Sequence, residues 1–300
     1  MKTALVTGSS GFVGRHMTAE LKARGWQVTG CDVVDLDGRP RALDALQIFR
    51  LDDSPRYDLV VHCAARAPHR AAIDGQPMNL PYNLQLDSAM FDWAVRTGQQ
   101  RVLYLSSSAV YPVLLQEGFP RRRLHESATD MAHGIEPDAA YGWTKWTGEK
   151  MAAAAAAVGL AVHVVRPFSG YGEDQATDWP FGAFVDRARR REDPFVIWGS
   201  GDQVRDWIHI SDVVAGALAV VDADVRVPVN LCTGLGTRMY DLVDMIRKQA
   251  GYRPTIFIDP DRPEGVAYRV GDPDRFWSIY QPKVSLEEGV ARAMRQGAPA

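Results

Sequence analysis

The chain has 300 residues, 46% hydrophobic and 24% charged, and its 34 Lys and Arg against 37 Asp and Glu leave a formal charge of −3. That length carries one large core, or a main domain with a smaller lobe, and the lack of a basic stripe argues against nucleic acid as the main partner. No apolar stretch reaches the roughly 18 uncharged residues that span a bilayer, and the first strand begins without a leader-like segment, so no membrane partner and a cytoplasmic location are expected.

The apolar run Ala4-Leu5-Val6 enters Thr7-Gly8-Ser9-Ser10-Gly11-Phe12-Val13-Gly14, and a helix pattern follows over Arg15 to Arg24. This reads as a phosphate cradle. Gly8 makes the tight turn, Gly11 lets the backbone approach a pyrophosphate, and Gly14 lets the helix pack on the sheet, with the helix N-terminus facing the anion. A second strand, Gln27 to Cys31, ends at Asp32, where a carboxylate can take the ribose hydroxyls of a dinucleotide. That points to NAD.

A polar loop over Val33 to Arg41 follows. Arg41 to Asp44 then reads either as a third strand bringing Asp44 near the adenine or as a cap for a helix over Ala45 to Leu51. Asp58 to Ala65 is a fourth strand, a continuous apolar run of the kind found in parallel sheets, with His62 inside it as a core residue and Ala64-Ala65 leaving room for a cofactor. A helix is expected over Asn83 to Thr97, stopped by Gly98, and a fifth strand over Arg101 to Leu105 runs into Ser106-Ser107-Ser108. Serines at the carboxyl end of a central parallel strand stand where open α/β sheets bind ligands.

Pro112 to Asp138 is an irregular loop, and a long helix opens at Ala139-Ala140-Tyr141-Gly142-Trp143-Thr144-Lys145 and closes at Gly159. Ala161 to Arg166 is a sixth strand, after which Pro167 to Gly172 turns away and the aromatic-rich stretch Trp179 to Trp207 suggests a separate lobe. Ser211-Asp212 is expected to cap a helix over Val213 to Val221, and Val229 to Cys232 returns to the sheet as a seventh strand. Further helices are expected over Tyr240 to Ala250 and Leu286 to Arg295, with a short strand over Thr255 to Ile258. Cys31, Cys63 and Cys232 sit in or at apolar strands as small hydrophobes, giving neither a disulfide nor a metal site. The basic runs Arg121-Arg122-Arg123 and Arg187 to Arg191 read as a solvated loop and a solvated helix face.

Nine motifs in order, TGSSGFVG (7–14), HCAA (62–65), Asn83, SSSAVYP (106–112), YGWTK (141–145), RPFSGYG (166–172), GSGDQVRDWIHISDV (199–213), NLCTG (230–234) and KVSLEEGV (283–290), together resemble the extended short-chain dehydrogenase/reductases, specifically the nucleotide-sugar epimerases and dehydratases of the UDP-glucose 4-epimerase type. The resemblance implies a Rossmann-type doubly wound parallel sheet with a small α/β C-terminal substrate lobe. It implies residues 1–167 and 211–236 for NAD, and 168–210 and 237–300 for substrate. It also implies cofactor contacts at Gly8, Gly11, Phe12, Val13, Gly14, Asp32, Asp44, Ala45, Cys63, Ala64, Ala65, Asn83, Ser106, Tyr141, Lys145, Pro167 and Phe168, and a homodimer paired through the helices of Asn83 to Thr97 and Tyr141 to Ala157.

Tyr141 and Lys145 stand one helical turn apart on one face, so the ammonium can favour the phenolate and make Tyr141 a general acid/base near neutral pH. Ser107 is the candidate to hold the substrate oxygen, by its place three residues before Val110 in the family pattern; Ser108 is the alternative. Where the family's dehydratases carry an Asp-Glu pair this chain has Ser108 and Ala109, and its decarboxylases keep a Glu at the latter position, so both reactions are disfavoured. Tyr111 followed by Pro112 is similar to GDP-fucose synthase, yet that enzyme's catalytic Cys falls on Ala109 and its catalytic His is missing after Tyr171-Gly172, so combined 3,5-epimerisation is unexpected as well. Hydride-only chemistry remains: 4-epimerisation of a UDP-sugar, or reduction of a nucleotide-linked keto-deoxysugar. A dinucleotide-sensing protein without catalysis has no need of Ser107, Tyr141 and Lys145 together. Arg205 and Arg262 match positions that clamp a diphosphate, the alternative being surface ion pairs with Asp206 or Glu264; Val196 and Trp198 resemble the strand lining the base pocket, and Ser169 replaces an Asn that contacts substrate in many members.

Overall fold

The computed structural model describes residues 1–34, 40–66, 78–118, 120–130 and 136–296. The expected loop over 33–41 and the connection over 112–138 therefore lie partly outside the described residues. Strands β1 (Thr3–Thr7), β2 (Gln27–Val34), β3 (Pro40–Leu43), β4 (Leu59–His62), β5 (Arg101–Leu105), β6 (Ala161–Pro167) and β10 (Val229–Leu231) form one sheet in the order β10-β6-β5-β4-β1-β2-β3. All neighbours run parallel except β3, which pairs antiparallel with β2. Residues 35–39 are too few for a crossover of about a dozen residues, so the chain can only fold back.

Alternation along β1 divides the core. Ala4 and Val6 face helices α1 (Phe12–Ala23) and α6 (Ile210–Asp222), packing with Met17, Leu21, Val213 and Ala217. Leu5 faces α3 (Asn79–Arg96) and α4 (Ala139–Ala157), joining Met90, Phe91, Trp93, Ala152 and Ala155. Both faces are covered, as a parallel sheet requires. The register Cys31–Thr7–His62–Tyr104 aligns the carboxyl ends of β2, β1, β4 and β5, and the order reverses at β1, where such sheets bind ligands.

The smaller body holds β7 (Ser169–Tyr171), β9 (Val204–His209), β11 (Gly236–Arg238) and β13 (Tyr268–Arg269) in one sheet and β8 (Phe195–Trp198) with β12 (Ile256–Asp259) in another. Helices α5 (Pro180–Arg189), α7 (Met239–Gln249) and α9 (Leu286–Gln296) cover them around Tyr171, Phe181, Phe195, Trp207 and Leu242. Two local expectations are corrected. Residues 169–171, expected to turn, extend as β7 beside β9. Helix α6 starts at Ile210 rather than Val213, because the His209 side chain, not Ser211 or Asp212, caps it by accepting from the Ser211 N–H.

Candidate active site

The glycine cradle is tight. Gly8 has φ +66°, and a Cβ there would fall 2.7 Å from the Ala64 nitrogen; on Gly14 it would fall 2.0 Å from the Gly8 carbonyl oxygen. The start of α1 therefore sits against a bare backbone turn, the arrangement that lets an anion reach the helix N-terminus. Strand β2 runs two residues past the expected end at Asp32; there Asp32 Oδ2 accepts the Ser10 N–H at 2.9 Å, and Oδ1 accepts from Val33 and Val34 at 2.8 and 3.4 Å. A carboxylate has about four lone-pair positions, so capacity for a ribose hydroxyl remains. Together, cradle and carboxylate fit a nicotinamide dinucleotide.

Other expected cofactor residues turn inward. Asp44 accepts the Leu46 N–H at 3.0 Å as the cap of the short helix α2 (Ala45–Ile48), and it directly follows β3. Ala45 is buried in the core beneath it. Asn83 is 1% exposed and closes both amide groups on the Arg66 backbone, at 2.8 and 2.9 Å, so it shapes the chain leaving β4. Cys63 is pushed up to about 12 by burial, against the Lys145 charge, and is a neutral thiol. Phe168 packs with Tyr111 and Cys232, while Pro167 ends β6 half-buried.

The serines after β5 separate by environment. Ser106 Oγ donates to Glu149 Oε1 at 2.5 Å, and Ser108 is buried. Ser107 stays half-buried, its Oγ accepting the Ala109 N–H at 3.1 Å and keeping its own O–H to donate. Tyr141, half-buried, opens α4, and Lys145, 2% exposed, follows one turn on with Nζ 4.9 Å from the Tyr104 ring centre and 5.9 Å from that of Tyr141. Two contacts join the serine turn to this helix: the Asp138 N–H donates to the Ala109 carbonyl at 2.9 Å, and Gly142 lies so near that a Cβ would sit 2.4 Å from the same oxygen. Asp138 also pairs with Arg269 of β13 at 2.7 Å, tying the smaller body to the helix start.

On that smaller body, Arg205 donates to the carbonyls of Val204 and Glu264 at 2.8 and 3.4 Å. Asp206 is not its partner: fully buried, it accepts from Thr233, Gly234 and Gly271. Arg262 pairs with Asp259 rather than Glu264, at 3.5 Å, and its guanidinium lies 5.3 Å from the Trp198 ring centre. Val196, Trp198 and Ser169 are half-buried along β8 and β7. Sequence reasoning missed Glu149 and Arg166, which form a two-bond pair at 2.8 and 2.7 Å beneath Ser106. Their separation of 17 residues across a helix and a strand leaves no local signal.

Residues 4–232 match the sequence model of the NAD dependent epimerase/dehydratase family. The chain is similar to the dTDP-4-dehydro-6-deoxy-D-allose reductase of Streptomyces bikiniensis, 27% identical over 323 residues that cover 96% of this chain and 94% of that protein. Among solved structures, MoeE5 in complex with UDP-glucose and NAD aligns with a TM-score of 0.84 and 28% identity over 98% of each chain. The UDP-glucose 4-epimerase of Thermus thermophilus, bound to NAD, shares the fold with a TM-score of 0.84 at 20% identity, over 99% of this chain and 100% of that one. No described helix is long and apolar enough to cross a membrane.

Proposed function

The chain belongs to the NAD-dependent epimerase/dehydratase family, and from that premise we propose that it catalyses 4-epimerisation of a UDP-linked sugar through a transient 4-keto sugar. The observation that carries this is the contact of the Ala109 carbonyl, in the turn after Ser107, with Asp138 and Gly142 at the start of the helix of Tyr141 and Lys145, in a turn that offers only the Ser108 hydroxyl and the Ala109 methyl where elimination needs carboxylates. The UDP-glucose and NAD bound by MoeE5 support the same ligand classes here.

The Gly8–Gly14 turn and Asp32 would hold NAD, with Lys145 reaching its nicotinamide ribose; when bound, NAD supplies a hydride acceptor. Ser107 donates a hydrogen bond to the C4 oxygen of the sugar. Tyr141, one helical turn from Lys145, takes the C4 hydroxyl proton and returns it once the keto sugar presents its other face, a task worth about two to four orders of magnitude in rate. Arg205 and Arg262 serve the diphosphate and Trp198 and Val196 the base, which makes residues 168–210 and 237–300 the substrate lobe against an NAD body of 1–167 and 211–236. We assign the dinucleotide as NAD because Asp32 repels a 2′-phosphate.

A second reading, reduction of a nucleotide-linked keto-deoxysugar, is favoured by the reductase likeness along nearly the whole chain. Mass spectrometry of dinucleotide released from the denatured protein separates the two: retained NAD supports the epimerase, and an empty site supports the reductase. The same reading includes a homodimer through α3 and α4. Of the apolar residues of α3 that suggested it, Met90, Phe91 and Ala94 are buried on this chain's own sheet, Leu84 is half-buried and Val95 is exposed, so support comes from Val95 and the outward Ala153, Ala154, Ala156 and Ala157 of α4. A monomer by light scattering at micromolar concentration would overturn it.

A further inference from the structure

Lys145 is 2% exposed, and a buried ammonium needs a compensating charge or hydrogen bonds. Among the described residues, titratable side chains that act on it or lie against it are Cys63 after β4, Asp87 on α3, Tyr104 on β5 and Tyr141 on its own helix. Cys63 is a neutral thiol and the phenols present ring faces. Glu149, farther along α4, is paired with Arg166. That leaves Asp87 for the full negative charge: its Oδ2 takes the hydroxyl of the same Tyr104 ring over which Lys145 Nζ lies at 4.9 Å.

That carboxylate is built in. Asp87 is 1% exposed; Tyr104 OH donates to its Oδ2 at 2.5 Å and His62 Nε2 lies 3.1 Å from its Oδ1. The other His62 ring nitrogen meets Thr7 Oγ1 at 2.9 Å, and the same Oγ1 accepts the Ala64 N–H at 3.2 Å. Helix α4 leaves room for the cluster at Gly148, where a Cβ would fall 1.9 Å from the Tyr104 hydroxyl oxygen and 2.7 Å from the Asp87 carboxylate. Burial raises the Asp87 carboxyl, but the Lys145 charge and the bonds from His62 and Tyr104 outweigh it and hold the group below its ordinary value. The proton transfer described above uses none of these three side chains.

We propose that Asp87, clamped by His62 and Tyr104, is the counter-ion that keeps Lys145 charged and in place beside Tyr141, a positioning residue whose value to the reaction rests on the catalytic reading of Tyr141 and Lys145. The test is independent of turnover. In protein labelled with 13C-lysine, the Lys145 Cε resonance, assigned with Lys145→Arg, should titrate at a pH lower by about one unit or more in Asp87→Asn, and return toward the parent position in Asp87→Glu. An unchanged titration overturns the proposal.

The reciprocal variant Lys145→Gln needs no change at Asp87. Without the ammonium, burial drives the Asp87 carboxyl upward, so ionising it at neutral pH opposes folding. The stability deficit of Lys145→Gln against the parent should therefore widen from about pH 4 to about pH 7 in denaturant unfolding. A deficit that stays constant with pH contradicts the pairing. If both shifts occur while Tyr141→Phe keeps full activity, the counter-ion stands and the catalytic reading fails; if neither occurs while Tyr141→Phe is inactive, the reverse holds.

Discussion

Gly142→Ala probes the joint between the serine turn and the Tyr141 helix. The added Cβ would lie 2.4 Å from the Ala109 carbonyl oxygen and 3.1 Å from the Pro137 carbonyl carbon, against an ordinary contact of 3.4 Å or more. Both atoms are backbone, so no flexible side chain can swing aside. Helix and turn must part by about 1 Å, which also stretches the Asp138 bond to the same oxygen. A misplacement of that size between reacting groups costs about 10²-fold in turnover, about 2.7 kcal/mol of activation free energy. Overpacking should lower stability by about 1–3 kcal/mol. The glycine cradle follows β1 and is untouched, so bound NAD per chain should fall far less than turnover. Turnover on the nucleotide sugar the parent converts fastest, dinucleotide content after denaturation and urea unfolding measure the three effects. Turnover within about twofold of the parent, with the stability loss present, would refute the claim that this contact sets Tyr141 against Ser107.

Asp32→Ala removes the acceptor of the Ser10 N–H as well as the ribose partner, so NAD binding should weaken and discrimination against NADP relax; titration with both cofactors checks this, and unchanged selectivity would move the role elsewhere. Tyr141→Phe should keep fold and bound NAD but lose about two to four orders of magnitude in turnover. Lys145→Ala should lose turnover and cofactor affinity together, and Ser107→Ala should cost less than either; a Tyr141→Phe enzyme of near-parent turnover would exclude this acid/base. Asp206 is raised to about 6 by burial, against its hydrogen bonds from Thr233, Gly234 and Gly271. A carboxyl raised on folding contributes stability below its unfolded value that is lost as pH climbs through the folded one, here about 3 kcal/mol between roughly pH 4 and 6. Asp206→Asn should flatten that slope in urea unfolding while lowering stability throughout, since an amide cannot accept all of those donors; an unaltered slope would contradict it.

The parallel sheet, the tight glycine turn into α1 and the placing of Tyr141 and Lys145 one turn apart on α4 were legible because each depends on local spacing along one strand, turn or helix, while Ser107 was singled out by the family pattern. What stayed hidden depends on partners far away in the chain. Ser106 looks as available as Ser107 until Glu149, 43 residues on, takes its hydroxyl. The hydrogen bonds that hold Asn83 to the Arg66 backbone, 17 residues earlier, leave no trace in the spacing either. The apolar spacing of α3 fits a partner helix as well as its own sheet, and the pattern carries no mark of which surface it meets. Asp87 is the same case: nothing in the spacing of its helix marks it, and only the fold brings His62, Tyr104 and Lys145 around it.

The most direct test of the catalytic account follows the hydrogen on C4. A nucleotide sugar deuterated at C4 is incubated with the enzyme in ordinary water, and the same sugar unlabelled is incubated in heavy water. Return of the hydride predicts deuterium retained at C4 of the epimerised product in the first case and none incorporated from solvent in the second. Solvent deuterium at C4 would contradict hydride return, and deuterium at C3 or C5 would restore the enolising reactions that the Ala109 methyl group argues against.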